Sequence, residues 1–265
     1  VTENNTANQL VTIAKRLLDA PLVPSRNGAA YEFIAQSYTF IEPDPGFVIL
    51  GRGMSERIRV VEMLTLCGQW DVSHRMPEQF NRFKDDALLR GAYGQRLYGQ
   101  LTKIADELYQ DPGSRRAVVT IYDGHRDLLD HSHDIPCTLS IQFLIRSDTL
   151  WAVANMRSSD AFLGLPYDVA QFTALGHAVA TAMDVPFAGL TINCGSSHLY
   201  EKDAETVRAL TTPGTMPTRW PRLWPAGSTI GDIMELSRRV LECKYSSWTT
   251  PFLQEAHNII TKGNE

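Results

Sequence analysis

In the run DIPCTLSIQFLIR, Asp134 to Arg146, a cysteine stands directly after a proline and directly before an alternating apolar stretch. Two chemistries fit Cys137. Free cysteine is among the most buried residue types, so it could be a small hydrophobe opening a strand. A thiol held at a strand's edge could instead be a nucleophile, because thiols react as their anions and a nearby cation stabilises the anion. Histidines at 125, 131 and 133 lie just upstream. Their HxHxxxC spacing lacks a fourth ligand at a familiar distance, and tetrahedral zinc needs that ligand or a catalytic opening in its place. No metal is expected.

Arginines carry a second signal. SRNG around Arg26, SRR at Arg115 and Arg116, and MRSSD at Arg157 each set a guanidinium beside Gly, Ser or a turn. A planar forked donor among small residues suits a phosphate better than a lysine does. Ordinary surface ion pairs are the competing use of any one of them.

These residues need a frame. Asn8 to Ala20 has the one-faced apolar spacing of an amphipathic helix, broken by Pro21, Pro24 and Gly28, with Arg26 in the loop. Tyr38 to Leu50 reads as extended, with a turn at PDPG. Glu56 to Leu66 reads as a helix with Ile58, Val61 and Leu64 inward and Glu62 between apolar neighbours. A helix from Leu101 to Tyr109 precedes the strand AVVTIY. LSIQFLIR and TLWAVANM, separated by SD, form a hairpin. A helix from Val169 to Met183, the strand AGLTINC and helices near Ile230 to Glu242 and Phe252 to Thr261 follow. The stretch from Leu210 to Ser228, rich in Pro, Thr and Trp, is expected to wrap the surface. The order of elements is α+β or mixed α/β, with no linker before residue 200, so residues 1–265 read as one domain.

A hydrophobic content of 43% and a charged content of 21% are ordinary for a chain that buries a real core. The net charge of −5, with no Lys/Arg-rich block, argues against a broad nucleic-acid face. No apolar run approaches a membrane span, and the N-terminus lacks a charged-then-apolar leader pattern. Cysteines at 67, 137, 194 and 243 form no CxxC pair and no disulfide framework, so a reduced, cytoplasmic setting is expected.

The run RSSDAFLGLPYDVA, with PC before it and GSSHLY after it, resembles the thymidylate synthase family, as do DPGSRR and VVEMLTLCG. The correspondence runs in order from Arg26 to about Tyr200, and its central block RSxDxFLGLPxxxA is highly specific. The tail beyond Asp203 carries none of it. The resemblance implies an α/β (α+β) thymidylate synthase-like fold, a large mixed sheet flanked by helices and packing across a homodimer interface. It makes Cys137 the nucleophile that adds to C6 of a pyrimidine nucleotide, with Arg157 as the neighbour that lowers its pKa. It makes Arg26, Arg157 and Ser158 phosphate ligands, and Arg115 and Arg116 the pair reaching that phosphate from the other subunit. His198 and Tyr200 resemble the sugar-hydroxyl ligands. Glu62 matches the glutamate that organises water and proton transfer. Tyr93 and Asp160 match positions near the cavity, Asp160 on the pterin side. Phe80 and Phe83 stand in for the folate-side tryptophans. The implied cosubstrate is 5,10-methylenetetrahydrofolate.

One departure changes the expected substrate. Thymidylate synthases have asparagine where GLPYD carries Asp168. A carboxamide can donate to O4 of uracil and accept from its N3–H; cytosine inverts both features. An aspartate accepts from the N4 amino group, and a proton shared with N3 completes the pair. Asp168 as the N-cap of the following helix is the structural alternative. Thr138 after the cysteine and the NMRS context also depart from the synthases. PCT, QFLIR and NMRSSD resemble phage-type dCMP hydroxymethylases of the same fold, which add water where synthases transfer hydride. The resemblance therefore implies a cytidylate 5-hydroxymethylase, with a methylating synthase or an inactive nucleotide-binding homologue as alternatives. Intact Cys137, Arg157, Asp168 and His198 count against the last. Arg115 and Ser158 match deoxynucleotide-using members. Ribonucleotide-using CMP enzymes of nucleoside-antibiotic pathways belong to the same branch, so dCMP and CMP both stay open.

Overall fold

Helix α1 (Thr6–Arg16) buries Leu10, Val11, Ile13 and Ala14 and tightens into a 3-10 turn at Leu17–Asp19. The computed structural model describes residues 6–69, 84, 89–128, 134–212, 219–220, 222–244 and 250–262. Strands β1 (Leu22–Val23) and β2 (Ala30–Ile41) flank the tight turn that carries Arg26. In that turn Ser25 and Gly28 exchange backbone bonds, and the φ of +113° at Gly28 strongly favours glycine. The extended segment expected from Tyr38 to Leu50 lies earlier. The positive φ at Ala35, which is skipped in the pairing with β6, interrupts the alternation of β2, and beyond Ile41 only Leu50 makes a bridge, with Thr211.

Helix α2 (Glu56–Gly68) starts where the Ser55 side chain accepts from the Ile58 N–H at 3.3 Å. It buries Ile58, Val60, Val61, Met63, Leu64, Leu66 and Cys67, well beyond one stripe. The reason is its position, packed between other helices. Short α3 (Tyr93–Arg96), α4 (Gln100–Gln110), β3 (Val118–Thr120) and α5 (Gly124–Asp127) follow. Strands β4 (Thr138–Arg146) and β5 (Thr149–Asp160) form the expected hairpin. Ser147 and Asp148 both take positive φ, as a two-residue primed turn demands. Helix α6 (Leu165–Ala182), with Pro166 in its first turn, connects β5 to the parallel strand β6 (Phe187–Tyr200). Helices α7 (Ala204–Ala209), α8 (Ile230–Leu241) and α9 (Pro251–Lys262) complete the described chain.

The strands make one six-stranded mixed sheet, ordered β1-β2-β6-β5-β4-β3. Helix α6 covers one face against β5 and β6, and α2 lies between α6 and α8. The segment expected to wrap the surface from Leu210 to Ser228 is partly core. Trp220 and Trp224 are buried, and both set their rings edge-on against Phe252 of α9. A Pro- and Thr-rich composition hides this, because two large rings bury more area than many small residues expose. Among the described residues no helix is long and apolar enough to cross a membrane.

One irregularity crosses four strands. Ala35 in β2 takes a φ of +53° and is skipped in the pairing with β6. Pairing of β5 with β6 skips Arg157 and Gly195, and the β4–β5 register shifts between Thr138 and Ser140. A Cβ on Gly195 would stand 2.9 Å from the Arg157 carbonyl oxygen, so the two backbones can meet only at glycine. A residue passed over on both strands of a pair, with register kept between β2, β6 and β5 and shifted only at β4, turns the side-chain alternation over. Before the line Ala152, Ala154, Met156, Ile192 and Cys194 face the core; after it Ser159, Ser197 and Leu199 do. Ser158, Ser196, His198 and Tyr200 are thereby turned to the other face.

Candidate active site

That other face borders a cavity of about 510 Å³. Arg26, Arg157, Ser158, His198 and Tyr200 all line it, together with Glu32, Ser196, Tyr122 and Asp127. The register places Ser158 beside Ser196, and Glu32 beside His198. Ser158 Oγ lies 3.4 Å from His198 Nδ1, and the rings of His198 and Tyr200 meet edge to face at 5.1 Å. Asn27 donates to the Tyr200 hydroxyl at 3.2 Å, tying the Arg26 turn to β6. Ser196 donates to the Glu32 carboxylate in a short bond. Asp127 is held in a buried bidentate pair with Arg96, both bonds at 2.7 Å.

Cys137 sits where the bulge line meets β4. Arg157 grips the segment before it: the Arg157 N–H donates to the Cys137 carbonyl at 2.8 Å. Its Nε and Nη2 donate to the carbonyls of Pro136 and Ile135, both at 3.0 Å. The expected depression of the thiol pKa is not what the free site has. Burial pushes the Cys137 thiol up; Arg157 pulls it back in part, while Asp168, Asp134 and Asp160 add to the rise. Desolvation of the anion outweighs one exposed guanidinium.

Behind Cys137 the groups are enclosed. Asp168 is 8% exposed, and Gln171 Nε2 donates to its Oδ1 at 3.0 Å. Burial pushes Asp168 up to about 7, against the pull of that donor and with a further push from Asp160. Glu62 Oε2 is buried without a hydrogen-bond partner, and burial with the nearby Asp168 pushes this acid up to about 8. Tyr93 is held well above its usual range by burial first, then by Asp168 and Cys137. Its ring stacks near Phe172 of α6 at 6.2 Å. Asp168 is not a helix cap: α6 begins at Leu165, its N-cap is Gly164, and the aspartate lies inside the first turn. Asp160 is partly committed to structure, since its Oδ1 accepts from the N–H groups of Phe162 and Leu163.

Arg115 and Arg116 stand apart from this cavity. Both are exposed at the β3 edge, and Arg116 pairs with Glu107 of its own chain at 2.9 Å. Phe80 and Phe83, with His131 and His133, lie outside the described residues. Among the described residues no group of three His, Cys, Asp or Glu could hold a metal. Two buried residues were not singled out in the sequence. Arg52 clamps the turn before α6, donating to the carbonyls of Phe162 at 2.5 Å and Leu163 at 2.9 Å while its guanidinium lies over Tyr167. Gln171 follows Asp168 at the spacing that shares a helix face, which was a readable signal.

A family model described as thymidylate synthase matches residues 69–240, more than half of the chain. The chain belongs to the thymidylate synthase family. It is a folate-dependent enzyme of one-carbon transfer to pyrimidine nucleotides, with methylenetetrahydrofolate as cosubstrate. The match contains Cys137, Arg157, Asp168 and His198; Arg26 and Glu62 lie N-terminal to it. It also runs past Tyr200, where the motif resemblance stops, through α7 to α8. That stretch bears little motif, yet it supplies the buried Trp220 and Trp224. A buried carboxylate oxygen without a partner, Glu62 Oε2, fits a site that takes in a polar nucleotide base and a one-carbon donor.

Proposed function

We propose that this family member is a cytidylate 5-hydroxymethylase, and that residues 1–265 act as one catalytic domain. The carrying observation is the enclosed acid pair, Asp168 in the first turn of α6 with Glu62 nearby, in place of an amide facing the base. A carboxyl pushed up to about 7 holds or shares a proton near neutrality, and so can both accept from the N4 amino group and donate to N3. An amide can do the matching pair for uracil.

In this reading Arg26, Arg157 and Ser158 hold the phosphate, and His198 and Tyr200 the sugar hydroxyls. The free thiol is protonated, so the thiolate of Cys137 forms as the nucleotide binds. Its sulfur bonds to C6 of the base, and C5 takes the one-carbon unit supplied by methylenetetrahydrofolate. C5 then loses its proton, and tetrahydrofolate departs to leave a C5 exocyclic methylene. Glu62, protonated in the free site, gives its proton to the departing tetrahydrofolate amine, and its carboxylate then positions and deprotonates the water that adds to this methylene. The electron pair returns through C5 and expels the thiolate from C6. No hydride moves, so tetrahydrofolate leaves unoxidised.

Support for pairing of two copies comes from the open sheet face. Ser37, Asn193, Asn155 and Ser140 bond side chain to side chain across four strands at 2.8, 3.0 and 3.2 Å. Such an ordered polar row suits a sheet packed against its own copy, with Arg115 and Arg116 reaching the partner's phosphate. Arg116 then leaves Glu107. Mixing an Arg115→Ala, Arg116→Ala chain with a Cys137→Ala chain should restore one working site per heterodimer; no recovery from well-mixed chains excludes the shared site.

The deciding experiment offers CMP, dCMP, UMP and dUMP with methylenetetrahydrofolate and reads products by mass. Hydroxymethylated cytidylate is expected, with the better sugar identified in the same run. A methylated product would make the protein a synthase, the reading that the family match by itself favours.

A further inference from the structure

A protonated aspartate is an ambiguous reader of pyrimidines. With the proton on the oxygen facing N3, it donates there and accepts from the N4 amino group, which selects cytosine. With the proton on the oxygen facing position 4, it donates to O4 and accepts from N3–H, which selects uracil. Asp168 alone therefore does not choose between the bases. Something must hold its proton on one oxygen.

The contacts of Asp168 are unequal. Gln171 donates its Nε2 hydrogen to Oδ1 at 3.0 Å, and both side chains are buried, at 8% and 6% exposure. Oδ2 instead faces the Gly164 turn, 3.7 Å from where a Cβ would stand on that glycine. An oxygen that already accepts from a buried amide keeps its lone pairs and resists protonation, because a proton there would face the amide hydrogen. We propose that Gln171 is a positioning residue that confines the shared proton to Oδ2 of Asp168, and so turns an ambiguous acid into a reader of cytosine. The inference rests on the reading of Asp168 as the residue facing the base. It requires Oδ1 to lie toward position 4 of the base and Oδ2 toward N3.

Helix geometry makes the arrangement stiff. Gln171 lies three residues after Asp168 on the same face of α6, and the helix continues through the buried Phe172, Thr173, Ala174 and Leu175. Neither side chain can swing without disturbing a packed layer.

Gln171→Met keeps the length and removes the donor, which frees the proton to occupy either oxygen. Gln171→Glu presents an acceptor to Oδ1 when ionised and draws the proton there. Steady-state kcat/KM would be measured for the cytidylate and uridylate pair of the preferred sugar in wild type, both variants and Asp168→Asn. The cytidylate preference should fall about tenfold in Gln171→Met and further in Gln171→Glu. The ratio is unaffected by the fraction of folded enzyme, and the second variant serves if the first is poorly soluble. Losing the donor should also move the alkaline fall in cytidylate kcat/KM to higher pH, which a packing defect would not do. A preference changed by less than about threefold in both variants, or a fall with the alkaline limb unmoved, overturns the inference. If wild type prefers cytidylate and Asp168→Asn removes that preference while the Gln171 variants do not, the role of Gln171 alone fails. If wild type prefers uridylate, it fails together with the base reading.

Discussion

At the end of the cleft proposed to take the sugar and phosphate, Arg26 and Arg157 stand exposed beside His198 and Tyr200 around an open cavity. At the end proposed to take the base, Asp168 is buried, Glu62 and Tyr93 are half-buried with Glu62 Oε2 enclosed, and burial is the first cause of the upward shift of each. A phosphate remains charged in either environment, so an end that stays wet can hold it with little desolvation and tolerates imperfect geometry. A neutral base is distinguished by single hydrogen bonds, and those discriminate strongly where an unmatched donor or acceptor has no water to turn to. In the proposed reading the open end supplies affinity and the closed end supplies choice.

The largest break in that contrast is at the junction. Cys137→Ala or Cys137→Ser should abolish turnover while nucleotide binding persists by calorimetry, because no neighbouring group can form the bond to C6. Substantial residual turnover in either variant would remove Cys137 as the nucleophile.

Next comes the closed end. Asp168→Asn loses a charge-assisted bond and strands a buried polar group. It should cost cytidylate about 2–5 kcal/mol, roughly 30- to 5,000-fold in kcat/KM, while uridylate gains. The uridylate product should still be hydroxymethyl, since water capture belongs to Glu62. An unchanged base preference, read by product mass from mixed substrates, sinks the assignment.

The open end should respond less and differently. Arg26→Ala should raise KM about tenfold, roughly 1–2 kcal/mol, leave kcat within a few-fold, and weaken as salt is raised. A loss confined to kcat would contradict a phosphate role.

The smallest effect is on stability. Glu62 and Asp168 have folded pKa values of about 8 and about 7, above the ordinary carboxylate range. Between the ordinary range and those values the folded state binds more protons than the unfolded one. Stability is therefore fullest below about pH 4 for these groups and is lost as pH rises through 7 and 8. Asp168→Asn removes one such loss and should raise Tm relative to wild type at pH 8.5 but not at pH 5. Equal Tm differences at both pH values would mean that the carboxyl is not held protonated.

The local elements were legible because their signals are local. The SD hairpin, the helix read at Glu56 to Leu66 and the helix read at Leu101 to Tyr109 each follow from a few neighbouring residues. Family motifs supplied Cys137, Arg157 and His198 as a set, and Asp168 in GLPYD marked the departure. α6 begins at Leu165, ahead of the Val169 that its apolar pattern suggests, because Pro166 reads as a breaker in the sequence but is tolerated in a first helical turn.

Proximity belongs to the tertiary structure. The bulge line through Ala35, Gly195, Arg157 and the start of β4 turns Ser158 and His198 onto the cavity face. No window of sequence contains it, because it is a register shared by strands far apart in the chain. The same holds for charge. Sequence names Glu62, Asp168 and Cys137 as ionisable, but their proton affinities depend on the water removed around them, and that is decided by what α2, α6 and β4 pack against. Residue types alone thus name the chemical groups that the site contains. Only the packed fold decided which of them hold a proton, because desolvation is a property of the whole enclosure and not of any residue in it.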